Sequence, residues 1–262
     1  LHYPLRRQRQ MCIRDRDVKE GQRAKTLYYV GCTSSYQEKA IASSTATILN
    51  KMNEDWSLFG KDEWCCGDPH VAIGNQEKAE EFARHNTEAA SSLGASRIVT
   101  GCAHCYRMWK WKYPEILGSH SLEVLHTTEY IQECMKAGKL KLEGKLPDRT
   151  TYHDPCYLSR LGGIADEPRN ILSKVAENFV EMKEREYDSF CCGGGAMTET
   201  VNEDLWAKIG NERLRQAEST NAGLLVSGCP FCRRSLTQAA QRSGSKMQVL
   251  DITELVAKQL KD

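Results

Sequence analysis

Short runs rich in β-branched and aromatic residues alternate along this chain with longer stretches of helical period. The runs Leu27–Gly31, Arg97–Gly101, Thr150–Asp154 and Leu224–Gly228 read as strands. Between them, Tyr36, Ala40, Ile41, Ile48, Leu49 and Met52 fall on one helical face, with Ser34 or Ser35 placed to cap it. Glu77–Leu93 gathers Ala79, Phe82, Ala83, Ala90 and Leu93 on one side and stops at Gly94, a C-terminal signal. Glu203–Ala217 repeats the pattern with Leu205, Ile209 and Leu214, and Pro168 suits the first turn of a helix carrying Ile171, Leu172, Val175 and Phe179. Residues 55–63 fit a strand or a loop equally well. Strand–helix alternation predicts an α/β protein, with small parallel sheets flanked by helices and sites beyond the carboxyl ends of the strands.

The pattern occurs twice. Cys32, Cys65, Cys66, Cys102 and Cys105 are matched by Cys156, Cys191, Cys192, Cys229 and Cys232, at offsets of 124, 126, 126, 127 and 127 residues. Val124–Ile131 likewise matches Val249–Val256. Two five-cysteine series in register imply a duplicated domain, with repeats related by a pseudo-two-fold. The polar linker 138–149 divides them, giving a first cysteine-rich domain over 26–140 and a second over 149–262.

Composition sharpens this picture at two points. With 40% apolar and 27% charged residues the chain is that of a globular protein. No run approaches 18 apolar residues, so no direct membrane span is expected. The net charge of +1 conceals eight Lys/Arg against three Asp/Glu in residues 1–25, which leaves the body acidic. Nucleic acid is therefore not an expected partner, and the basic segment 1–25 reads as a disordered or foreign tail, consistent with an N-terminal truncation.

The second point is the cysteine count, 12 in 262 residues. Without a signal-peptide pattern, a cytoplasmic metal or redox protein is expected rather than a secreted disulfide scaffold. All-thiolate zinc and iron–sulfur sites both use four ligands. Each repeat offers five, which leaves either a spare thiol or a cluster of unusual shape. The glycines after Cys192 let backbone N–H groups approach sulfur.

The doubled motif of a lone cysteine, Cys-Cys-Gly and Cys-x-x-Cys resembles the cysteine-rich CCG domains of the catalytic iron–sulfur subunit of heterodisulfide reductases. Related subunits serve lactate, glycolate and glycerol-3-phosphate oxidation. The resemblance covers roughly residues 26–260. It implies two noncubane [4Fe–4S] clusters, one on Cys32, Cys65, Cys66, Cys102 and Cys105, the other on Cys156, Cys191, Cys192, Cys229 and Cys232. Zinc in one motif stays open. The expected function is that of an oxidoreductase subunit reducing a small disulfide, the clusters facing each other across the pseudo-two-fold and each taking one thiolate. Two alternatives stand beside it: an electron-transfer subunit of a 2-hydroxy-acid or glycerol-3-phosphate dehydrogenase, and a structural zinc scaffold. No ferredoxin-like cysteine run is present, so electrons are expected from a ferredoxin-like or flavin partner subunit, with a membrane cytochrome subunit as a further partner.

Outside the two sets, His153 precedes Cys156 and is the candidate proton donor, the plainer alternative being that it orients its loop through Asp154. His104, inside Cys102–Cys105, is a second candidate, against an exposed loop histidine. His70 is a weaker pocket candidate. Cys12 and Cys134 lack counterparts and read as plain thiols. Trp109 and Trp111 read as core residues, and Arg233 and Arg234 as either anion ligands or a solvated helix face.

Overall fold

A computed structural model describes residues 18–142, 144–195 and 197–260. The chain separates into two compact units, with the division between Tyr130 and Ile131. In the first unit β1 (Thr26–Tyr28), β2 (Trp56–Leu58), β3 (Arg97–Thr100) and β4 (Glu123–His126) form one sheet in the order β2-β1-β3-β4. Every pairing is parallel, with Thr26 opposite both Trp56 and Arg97, and Arg97 opposite Glu123. In the second unit β5 (Leu146–His153), β6 (Ala176–Phe179), β7 (Leu224–Ser227) and β8 (Gln248–Asp251) repeat this as β6-β5-β7-β8, again all parallel. The α/β expectation holds, with helices connecting the strands of each sheet.

The order fixes where a site can form. From β1 the chain moves outward to β2, then crosses back to β3 on the other side of β1. The connections leaving β1 and reaching β3 therefore diverge, opening a crevice beyond the carboxyl ends of these two strands. The same switch lies between β5 and β7.

The two cores differ in kind. In the first unit Tyr29 meets Phe59 and Trp109 edge-on, at centroid distances of 5.5 and 5.4 Å, and Trp109 packs on Tyr113 at 4.7 Å. All four rings are fully buried. Trp109 is thus a core residue, as expected, whereas Trp111 is 39% exposed. In the second core aliphatic side chains predominate, among them Leu158, Ile171, Leu172, Leu225, Leu236 and Leu255, alongside the buried Tyr152 and Trp206. Each such burial contributes about 1.5–3 kcal/mol before entropy is counted.

Several local expectations are corrected. The first strand stops at Tyr28 because the N–H groups of Val30 and Gly31 go to the Glu63 carboxylate, at 3.1 and 2.9 Å. Neither Ser34 nor Ser35 caps a long helix. Both lie inside a short helix, Cys32–Tyr36, and a new one runs over Lys39–Lys51. Ser35 Oγ instead donates to Gly31 O at 2.7 Å. The helix expected to include Phe179 ends at Val175, since Ala176–Phe179 pairs with β5 as an edge strand. In Glu203–Glu218, capped by Asn202, the buried side is Trp206, Gly210, Arg213, Leu214 and Ala217, and Leu205 is 46% exposed. Residues 55–63 supply β2 and a 3-10 turn at Gly60–Asp62.

Only part of the basic segment 1–25 lies within the described residues. From 18 onward it follows the first sheet: Leu58 N donates to Lys19 O, Gly21 N to Leu58 O, and Ala24 N to Leu93 O. Ala24 is buried. The boundary expected at residue 26 thus falls inside chain that packs with the first unit. Residues 1–17, with Cys12, lie outside the described residues.

Candidate functional site

In each unit the cysteines follow the carboxyl ends of three strands, the two that bound the switch point and the edge strand beside them. Cys32 opens the helix after β1, Cys65 and Cys66 sit in the connection after β2, and Cys102 precedes the helix Ala103–Arg107 that carries Cys105. Their side chains touch in sequence: Cys32 with Cys65, Cys65 with Cys66, Cys66 with Cys105, and Cys105 with Cys102. The second unit repeats this order as Cys156, Cys191, Cys192, Cys232 and Cys229. There Cys192 Sγ and Cys232 Sγ are 3.2 Å apart. All ten cysteines singled out from the sequence are brought together, five in each unit.

Glycine makes the adjacent pairs possible. Gly67 and Gly193 adopt φ +85° and +79°, a left-handed turn that returns the chain toward the sulfurs. Beyond it, Gly193 N and Gly194 N donate to Cys191 Sγ and Cys192 Sγ at 3.3 and 3.4 Å. A side chain at Gly194 would place its Cβ 2.7 Å from Phe231 O. At the matching position Asp68 does carry a side chain, which reaches His104, the counterpart of Phe231.

Electrostatics explains what such a group of sulfurs requires. In the first set, contacts with Cys105 and Cys65 hold the Cys66 thiol down at about 6, against the burial that opposes ionisation. Cys32 pulls the Cys65 thiol down, but Cys66 and burial push it up to about 12. Cys105 is driven up by Cys102, Cys66 and burial. In the second set Cys191, lowered by its contacts with Cys156 and Cys192, takes the charge while Cys156, Cys192 and Cys232 are raised. Ionising one thiol of a set thus opposes ionising its neighbours, because buried anions repel in a low dielectric. Five thiolates in one place need cationic metal among them.

The histidines are differently placed from one another. His104 is buried, not an exposed loop residue, and its Nδ1 lies 2.7 Å from Asp68 Oδ2. Arg107 approaches the other oxygen of Asp68 at 3.8 Å. His153 is fully buried at the end of β5 and accepts a hydrogen bond at Nδ1 from Arg213 Nε, at 2.9 Å. One of its ring nitrogens lies within 4.8 Å of both Cys192 Sγ and Cys232 Sγ, and its Nε2 has no hydrogen-bond partner. Burial, then the Arg213 guanidinium, pushes this imidazole down to about 3. A neutral ring with Nδ1 accepting keeps its single proton on Nε2. That fits a hydrogen-bond donor beside sulfur better than the expected proton donor. The loop is oriented by other groups: Asp154 pairs with Arg169 at 2.8 and 3.0 Å and accepts from Glu186 N.

The remaining candidates find ordinary partners. Arg233 pairs with Glu254 and Arg234 with Glu199, which satisfies both guanidinium groups with carboxylates. His70 packs edge-on against Phe82. Cys134 is buried in the helix Thr127–Lys136. Arg213 was not anticipated, although a signal existed. It occupies the same helical stripe as Trp206, Gly210 and Ala217, where a charge has no place without a buried role.

The fold and site define a duplicated α/β protein in which each half gathers five thiols beyond the carboxyl ends of a parallel sheet. The cysteine-rich domain model CCG matches residues 26–110 and 150–237, and the chain belongs to this family. It is 37% identical over 249 residues to one of the subunits of the dihydromethanophenazine:CoB–CoM heterodisulfide reductase of Methanosarcina acetivorans, covering 93% of this chain and 61% of that one. A probable iron-sulfur-binding oxidoreductase of Bacillus subtilis, FadF, is 32% identical, with 91% of this chain and 34% of that one covered. The chain therefore spans less than two thirds of the length of these relatives. A hypothetical protein from Helicobacter pylori shares the fold with a TM-score of 0.57 at 15% identity, over 93% of this chain and 50% of that one. Among the described residues, no helix is long and apolar enough to cross a membrane.

Proposed function

We propose that the chain is an iron–sulfur electron-transfer subunit of an oxidoreductase that reduces a small disulfide, with one noncubane [4Fe–4S] cluster in each repeat. Cys32, Cys65, Cys66, Cys102 and Cys105 would hold the first cluster, and Cys156, Cys191, Cys192, Cys229 and Cys232 the second. The observation that carries this reading is the identical contact order of five sulfurs in both units, one more than tetrahedral zinc employs. Relatives named as heterodisulfide reductase and iron-sulfur-binding oxidoreductase agree with it. When bound, such a cluster stores and releases single electrons.

The chain's own residues supply the surroundings. Gly193 N and Gly194 N are donors to sulfur in the second repeat, and the His153 ring, its Nε2 unpartnered, lies beside the same set. His104, held by the Asp68 carboxylate, would carry a proton in the first. Reducing a disulfide to two thiols consumes two electrons and two protons. The electrons would come from a ferredoxin-like or flavin-bearing partner subunit, with a membrane cytochrome subunit as a further partner, and the complex would work in the cytoplasm, where thiols stay reduced.

Anaerobic reconstitution followed by iron, zinc and acid-labile sulfide counts tests the cofactor. About four iron and four sulfide per repeat is expected. About one zinc and no sulfide per repeat would replace the reading with a scaffold. Oxidation of a reduced, reconstituted chain on adding disulfide, with two thiols appearing per two electrons, tests the reaction.

A further inference from the structure

The two sets of sulfurs are alike, but what stands behind them is not. Counting from the paired cysteines, His153 occupies the position of Tyr29, and Ser189 that of Glu63. Gly67 and Gly193 would meet Ala79 O and Trp206 O respectively, which aligns the following helices and matches Arg213 with Asn86. Behind the first set these positions hold a phenol, a carboxylate and an amide. Glu63 accepts from Val30 N and Gly31 N. Asn86 donates to Cys65 O and Tyr113 Oη, and accepts from Trp64 N. A second carboxylate, Asp68, lies beside the same set.

Behind the second set is a fully buried guanidinium. Arg213 donates to His153 Nδ1, Glu184 O, Gln216 Oε1 and Ser189 Oγ, all of them neutral acceptors. The carboxylates that act on its charge are Asp154, which is engaged by Arg169, and Glu184, which is exposed. Arg213 keeps its proton under all ordinary conditions, and it is electrostatically coupled to Cys192 and Cys232. Its bond to Nδ1 also fixes the His153 tautomer and leaves the Nε2–H without a protein acceptor, on a ring one of whose nitrogens lies within 4.8 Å of both Cys192 Sγ and Cys232 Sγ.

A buried cation and a hydrogen bond to sulfur both favour the form of a cluster that carries the extra electron, whereas a nearby carboxylate disfavours it. Given the cluster reading, we infer that Arg213 is a positioning residue which, acting through its charge and through His153, gives the second-repeat cluster the higher reduction potential of the two. An electron supplied to the chain then rests first in the second repeat. Glu63 and Asp68 hold the first-repeat cluster lower.

An anaerobic redox titration of the reconstituted full chain, with dithionite as the one-electron source and paramagnetic resonance as the readout, tests this. Two midpoints are expected. Arg213→Gln should lower the higher one, cutting the ratio of reduced to oxidised cluster at a fixed potential about tenfold, equal to about 59 mV for one electron. His153→Phe should lower the same midpoint by less. Glu63→Gln should raise the lower midpoint and leave the higher unmoved. Iron and sulfide counts accompany every variant. Should Arg213→Gln fail to retain a full complement, His153→Phe and Glu63→Gln carry the decision. Fully loaded His153→Phe with an unshifted higher midpoint overturns the inference, as does a Glu63→Gln shift in the higher midpoint. A wild-type chain that binds no iron overturns the cluster reading instead.

Discussion

The two repeats share a sheet order and an order of sulfur contacts, yet they support their cysteines by different means. In the first, Glu63 gathers the loop N–H groups after β1, and Asp68 reaches across to His104. In the second, Pro155 has no N–H to give, Ser189 stands where Glu63 would, and Arg213 takes over the buried polar work through His153, Ser189 and Glu184. Gly194 and Phe231 fill the place of Asp68 and His104. Duplication kept the contact order of five sulfurs and let each surrounding shell find its own solution. A difference in charge at fixed ligand geometry is a means of giving two like centres unlike properties.

The largest expected effect removes a ligand from one side only. Cys66→Ser and Cys192→Ser should each abolish one centre, and each should cut iron and sulfide by roughly half, since each repeat would hold one four-iron cluster. Loss of all iron from either variant would show that the two centres do not load independently.

Much of this symmetry was legible in the sequence because the cysteines recur at closely matched spacing in the two repeats. The ten cysteines and the strand ends before them could be counted off in register. The shell was not legible, since Glu63, Asn86 and Arg213 do their work through backbone carbonyls, amides and one ring nitrogen, which leave no spacing rule. Local errors had similar causes. Leu205 looked like a core residue by period, but the cap at Asn202 and the bond from Trp206 Nε1 to Ser235 Oγ turn the helix so that Trp206 faces inward. Phe179 extended a helical pattern that strand pairing to β5 cut short.

A smaller effect comes from exchanging shells. Gly194→Asp places the first repeat's residue in the second, where its Cβ meets Phe231 O at 2.7 Å. Overpacking against backbone should destabilise the chain by about 1–3 kcal/mol, read from urea unfolding. Adding Phe231→His should not restore stability, because the obstacle is the carbonyl and not the ring. Full rescue by that second change would mean the carbonyl can yield. In the first repeat, Asp68→Asn and His104→Phe should couple in a double-mutant cycle by about 1–2 kcal/mol, reflecting a buried charge-assisted hydrogen bond. Additive losses would remove Asp68 as the partner of His104.

The smallest effect concerns the residues that end the last strand of each sheet. In the first repeat His126 caps the next helix, its Nδ1 accepting from Thr128 N at 3.2 Å. In the second Asp251 does so, its Oδ1 accepting from Thr253 N and Oγ1 at 2.9 and 2.7 Å. Burial pushes the Asp251 carboxyl up to about 8 against the opposing Thr253 hydrogen bonds. The folded chain thus holds a proton there that the unfolded chain releases near the ordinary carboxyl value of about 3.9. Its contribution to stability is complete below that value and is lost progressively as pH rises through about 8. Asp251→Asn keeps a capping oxygen but cannot ionise. Its thermal midpoint should therefore fall less than that of the unaltered chain between pH 6 and pH 9, the variant being the more stable of the two at the upper end. Parallel pH profiles would show that the carboxyl titrates as freely in the folded chain as in the unfolded one, and burial would then not set the Asp251 cap apart.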